Sequence, residues 1–139
     1  MNKYVFDTSA LLTFIEDEEG IEIVESLLIK SVEKEIEIFI SAVTLIELFY
    51  ISAREQSVEI AEQRLELLNS IPLQQEALKP QFTQMIGKLK ASHSMSFADC
   101  CIAGLAKYKN AVLVHKDPEF EQVASEINLL TLPYKKKNK

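Results

Sequence analysis

Five short runs of β-branched, aromatic and aliphatic residues alternate along this chain with segments that have helical spacing. The strand-like runs are Tyr4–Phe6, Ile36–Ile40, Ile71–Leu73, Ala111–Val114 and Leu129–Leu132. Between them the spacing predicts helices over Ala10–Ile15, Ile21–Ile29, Thr44–Arg54, Val58–Leu68, Gln81–Lys90, Ala98–Tyr108 and Glu119–Ile127. A strand followed by a helix and then a strand calls for a parallel sheet covered by helices on both faces. Only 3 glycines and 4 prolines occur in 139 residues, too few for an all-β fold with many tight turns. Pro72 confines the Ile71–Leu73 run to a sheet edge. The expectation is one domain over 1–134, with a basic tail over 135–139.

In such sheets ligands gather beyond the carboxyl ends of the strands, so the strand-to-helix junctions are where function should lie. The acidic residues point to the same places. The chain has 21 Asp and Glu but only four Asp: Asp7, Asp17, Asp99 and Asp117. Glu suits an exposed helix face, whereas Asp survives where geometry demands a short carboxylate. Asp7 directly follows the first strand, and Asp99 opens the Ala98–Tyr108 helix. Asp117 closely follows the Ala111–Val114 strand, and Glu47 lies one turn into the helix after Ile36–Ile40. Asp17 sits in a charged turn and receives no role.

Each of the four has a capping explanation. Thr44 to Glu47 and Ser96 to Asp99 both fit a capping box, and Asp117-Pro118 fits an N-cap followed by proline. Asp7 or Ser9 could cap the first helix. Taken jointly, four carboxylates at one sheet edge would repel one another unless a cation sat among them. Their neighbours are apolar, so desolvation would raise their pKa values. An all-oxygen set without His or Cys suits Mg²⁺ or Mn²⁺ better than Zn²⁺. Such an ion, with substrate phosphate oxygens, is the chemistry of phosphodiester hydrolysis.

Other classes are excluded. Cys100 and Cys101 are adjacent and have no other partner, which rules out a disulfide scaffold. They read as small buried hydrophobes in a reducing cytoplasm. No apolar run approaches the roughly 18 residues of a membrane span, and Met1–Tyr4 leads into a strand, not a signal peptide. Residues 1–70 carry 5 Lys/Arg against 15 Asp/Glu, net −10, while residues 71–139 carry 10 against 6, net +4. The basic second half keeps nucleic acid open as a partner.

Four segments occur in order: Val5-Phe6-Asp7-Thr8-Ser9-Ala10-Leu11-Leu12, Ser41-Ala42-Val43-Thr44-Leu45-Ile46-Glu47-Leu48, Phe97-Ala98-Asp99-Cys100-Cys101-Ile102-Ala103-Gly104-Leu105-Ala106 and Val112-Leu113-Val114-His115-Lys116-Asp117-Pro118-Glu119-Phe120. This set resembles the PIN domain, specifically the VapC-type toxins of toxin–antitoxin pairs. The resemblance implies an α/β/α sandwich around a parallel sheet of about five strands, and an Mg²⁺- or Mn²⁺-dependent endoribonuclease that leaves a 5′-phosphate and a 3′-hydroxyl. It implies that Asp7 and Asp99 are the nearest metal ligands, that Glu47 and Asp117 complete the site, and that Ser9 supports it. It further implies a homodimer, inhibition by a cognate antitoxin protein, and DNA binding only through that antitoxin.

One departure is His115, where the family often has Thr or Ser. Its possible roles are a further ligand, a phosphate contact, a proton carrier, or a local hydrogen bond at a strand end. His93 reads as a loop residue. Lys79, Lys88, Lys90, Lys107, Lys109 and Lys116 could line an RNA path or be plain solvated surface. The Ile21–Ile29 and Val58–Leu68 helices could form a partner groove or serve only as core. The rival functions are a non-catalytic PIN-like binding module, in which the acids remain only as caps, and a housekeeping RNA-processing nuclease. A phosphatase or receiver domain lacks support, since no second Asp or acidic pair accompanies Asp7.

Overall fold

The computed structural model describes residues 2–135. The basic tail expected over 135–139 therefore falls, apart from Lys135, outside the described residues. The elements run β1 (Asn2–Phe6), α1 (Thr8–Ile15), α2 (Ile21–Val32), β2 (Ile36–Ser41), α3 (Ala42–Glu55), α4 (Val58–Asn69) and β3 (Leu73–Glu76). A short 3₁₀ turn (Pro80–Phe82) leads into α5 (Thr83–Ser92), then α6 (Phe97–Lys109), β4 (Val112–His115), a second 3₁₀ turn (Pro118–Val123) and β5 (Leu129–Thr131).

All five strands are parallel, in the order β3-β2-β1-β4-β5. Successive side chains of a strand face opposite sides, and the core divides accordingly. Val5, Phe39 and Leu113 face the layer made by α5 and α6, where Ile86, Leu89 and Ile102 are buried. Phe6, Ile38, Ile40 and Val114 face Leu11, Val24, Leu48 and Leu68 from α1 to α4. The result is the three-layer α/β/α sandwich expected from the alternation. Cys100 and Cys101 are unpaired and buried. With Ala103, Gly104 and Ala106 they make α6 a buried helix of small residues, with Gly104 set against Ile86 of α5.

Some boundaries differ from the sequence expectation. The edge strand starts at Leu73, which pairs with Ile38, because Pro72 has no N–H to give to a ladder. Helix α3 starts at Ala42, capped by Ser41, whose hydroxyl accepts from Val43 N–H at 3.1 Å. The Thr44–Glu47 capping box therefore does not form. The helix expected over Glu119–Ile127 is only the 3₁₀ turn, with i to i+3 bonds from Phe120 to Asp117 and from Ala124 to Glu121. Phe120 and Val123 are both fully buried, and a three-residue repeat puts them on one side of such a turn. No helix among the described residues is long and apolar enough to cross a membrane.

Candidate metal centre

Asp7 leaves β1 and caps α1. Its backbone N–H extends the sheet ladder to Val114 O at 3.1 Å, which aims the residue at the carboxyl edge. Its carboxylate accepts from Ala10 N–H at 2.8 Å and from the Ser9 hydroxyl at 2.7 Å. The Ser9 oxygen in turn accepts from Lys116 N–H at 2.9 Å, so Ser9 is held from both sides. Asp7 is only 3 % exposed. Burial pushes its pKa up to about 7 against the opposing Ser9 and Ala10 hydrogen bonds, and the charges of Asp117 and Glu47 push the same way.

Asp99 sits in the first turn of α6, where its N–H donates to the cap hydroxyl of Ser96 at 3.1 Å. The reciprocal arm of that capping box is not made by Asp99. Ser96 N–H donates instead to Glu119 Oε1 at 2.8 Å, across 23 residues. This leaves the Asp99 carboxyl free to face the cluster. Burial holds its pKa well above the carboxylate range, helped by its hydrogen bond with Glu119 and by the charges of Asp117, Glu119 and Asp7.

Asp117 caps the second 3₁₀ turn by accepting from Glu119 N–H at 2.9 Å. Carboxylate oxygens of Asp99, Asp117 and Glu119 all lie within 4.8 Å of one another. Of the four acids read from sequence, Asp99 and Asp117 thus fall in the tightest group, and Glu119 completes it. Asp7 adjoins them through its charge. Glu47 is set beyond Asp7, where its Oε1 accepts from the Thr8 hydroxyl at 2.7 Å. Glu119 was visible only as the second residue after Asp117, and its reach to Ser96 has no local sequence signal.

His115 is fully buried, with both ring nitrogens engaged. Asp117 N–H donates to Nδ1 at 3.1 Å, so Nε2 carries the proton and donates to Thr131 Oγ1 at 3.0 Å on β5. Burial lowers its pKa, which keeps the ring neutral. Of its possible roles, the ring makes local hydrogen bonds at the strand end and leaves no lone pair for a metal.

The lysines do not form one path. Lys116 is 7 % exposed, and its ammonium donates to Glu19 O at 2.8 Å. Lys79 and Lys109 both pair with Glu76, and Lys107 pairs with Glu126. His93 follows α5 as its C-cap residue and lies 3.2 Å from Glu126.

A cluster of this chemistry could hold a hard cation. Its donors are oxygens, they are drawn together by backbone caps, and burial makes their shared negative charge costly. The PIN domain family profile matches residues 4–126. The chain belongs to the PIN domain family. The same fold occurs in solved structures. This PIN domain chain is 22 % identical to a chain of DNA-bound VapBC2 from Rickettsia felis, with TM-score 0.76, covering 94 % of this chain and 99 % of that one. It is 24 % identical to a chain of DNA-bound VapBC from Salmonella typhimurium, with TM-score 0.75 and coverage of 94 % and 98 %. VapC20 of Mycobacterium tuberculosis, a sarcin–ricin-loop-cleaving toxin, is 14 % identical with TM-score 0.69, covering 89 % of this chain and 95 % of that one. At these identities the likeness establishes the fold. No curated protein matches the chain in sequence.

Proposed function

We propose that this PIN domain is a divalent-metal-dependent endoribonuclease, and the toxin of a VapBC-like pair in the cytoplasm. The observation that carries this reading is the convergence of Asp99, Asp117 and Glu119 within 4.8 Å beside the buried Asp7. Mg²⁺ or Mn²⁺ bound there would neutralise the carboxylates and polarise an RNA phosphodiester for attack by water. Asp99, Asp117 and Glu119 would hold the ion, with Asp7 and Glu47 adjoining. The chain's own work is preorganisation. Lys116 N–H fixes Ser9, whose hydroxyl hydrogen then points at Asp7. Ser96 N–H occupies one oxygen of Glu119, and His115 steadies Asp117 through its backbone.

The partner reading is supported by solved relatives, which include DNA-bound VapBC chains and a member of the VapBC family of toxin–antitoxin systems. Helix α2 exposes Ile29 and Val32 beside Phe14 and Ile71, around a groove of about 390 Å³. That groove supports an antitoxin peptide as its occupant; DNA bound through the antitoxin and a toxin homodimer belong to the same proposal. Helix α4, the other element considered for such a groove, does not line it.

Cleavage of labelled RNA tests the reading. With Mg²⁺ or Mn²⁺, Asp99→Asn and Asp7→Asn should each lower the rate about 10²–10³-fold, the scale of one lost electrostatic stabiliser, while circular dichroism stays unchanged. Cleavage that persists in both variants, or in EDTA, rejects it. One observation favours the non-catalytic alternative: Asp7 and Asp117 do cap their helical turns. Caps alone gain nothing from a cation, so a rise in Tm with Mn²⁺ separates the two.

A further inference from the structure

Between Ala77 and Ala98 the chain has no carboxylate side chain, yet it places Lys79, Lys88 and Lys90 there, in a protein of net charge −6. Folded, this stretch opens a groove of about 450 Å³ on α5, within the roughly 300–1,000 Å³ of ligand clefts. Leu78, Phe82, Ile86 and Phe97 supply its apolar lining, together with Gly87 and Lys90. Phe97 is 59 % exposed and lies two residues before Asp99 in α6. Gly87 is inside α5, where a Cβ would meet nothing within 4 Å. Glycine weakens a helix interior, and no neighbour requires it here; its missing side chain widens the groove.

We propose that this groove is a nucleobase subsite, in which a base of single-stranded RNA stacks on Phe97 while Lys90 offsets an adjoining phosphate. The inference rests on the nuclease reading above and names a substrate contact for it. Every base has an apolar face that an aromatic ring can stack against, whatever the sequence. Lys90 spends one of its three N–H donors on Met95 O at 2.6 Å. Lys90, which lines the groove, has no carboxylate partner among the described residues, whereas Lys79 beside it pairs with Glu76. A phosphodiester at the acid cluster would set the neighbouring nucleotide beside Phe97. A second copy of the chain suits the groove less well. A twofold contact sets a patch against itself, and the unpaired Lys90 would then face its own counterpart.

Fluorescence anisotropy of labelled oligouridylate and oligoadenylate decamers, in EDTA and low salt, reads binding without cleavage. Phe97→Ala should weaken both about tenfold, the scale of one lost base stack, and Phe97→Trp should keep wild-type affinity. Gly87→Leu should weaken binding similarly while Tm holds or rises, since leucine is the better helix former. A decamer stripped of its bases should bind wild type and variants alike. Unchanged affinity in Phe97→Ala and Gly87→Leu, equal binding of the stripped and intact strands by wild type, or no binding of either intact decamer overturns the proposal. Loss of a dimer in sedimentation with RNA affinity unchanged also overturns it, and assigns the groove to a second copy. Because binding is read in EDTA, the subsite can fail with metal-dependent cleavage intact. Cleavage can equally be absent while base-dependent binding remains.

Discussion

A carboxyl group removed from water beside other carboxyls keeps its proton, and Asp7 shows the consequence for stability. Its pKa is about 7 when folded, against an ordinary value of 3.8. Between those values the folded state binds more protons than the unfolded state, so stability should fall as pH rises through that window. The lowered carboxyls of Glu18, Glu76 and Glu126 act in the opposite sense, below about pH 4.5. Asp99 is raised in the same sense, to about 9, so scanning fluorimetry of the metal-free protein should show Tm declining from about pH 4 to 9, with the part up to pH 7 flatter in Asp7→Asn, which keeps a capping side chain. Mn²⁺ should raise Tm more at pH 8 than at pH 5, because Asp7 is then ionised. Equal slopes for wild type and Asp7→Asn would contradict the burial of this charge. Thr44 offers a second residue-scale test. It is fully buried, and its hydroxyl has no hydrogen-bond partner among the described residues. Thr44→Val removes that unpaired group at nearly the same volume, so urea unfolding should show stability unchanged or higher by up to about 1 kcal/mol.

At the scale of elements, the layer under the acids depends on the close approach of α5 and α6. A Cβ at Gly104 would lie 2.8 Å from Ile86 Cγ1, a carbon near the α5 backbone that has little freedom to move aside. Gly104→Val should therefore cost about 1–3 kcal/mol in urea unfolding by overpacking. An unchanged midpoint would mean that α5 slides freely on α6. The helices themselves were legible in sequence because apolar residues recur at helical spacing, as in Val24, Leu27 and Leu28 of α2. Their ends were less so. Thr44 and Glu47 have the spacing of a capping box, but Ser41 one turn earlier takes the cap because the strand ends there. The segment after Asp117 reads as a helix by composition, yet Phe120 and Val123 are drawn to the core at three-residue spacing and leave only a 3₁₀ turn. Tertiary packing overrides local preference in both places.

For the whole molecule, parallel strand order is what makes acids distant in sequence into one site. In a parallel sheet every strand exits at the same edge, so residues that follow β1 and β4 become neighbours. His115 adds a tie across that edge, since it joins the turn at Asp117 to β5. The sequence by itself determined the alternation of strands and helices, the all-parallel sheet it compels, and the placing of Asp7, Asp99 and Asp117 at strand or helix ends. These rest on periodicity and local backbone chemistry, which neighbours along the chain decide. Only the tertiary structure decided that Glu119 reaches Ser96 and joins Asp99, that Glu47 turns to Thr8, and that Lys116 is buried away from any RNA path. Those choices depend on a few ångströms of side-chain reach between elements, and no spacing along the chain encodes that distance.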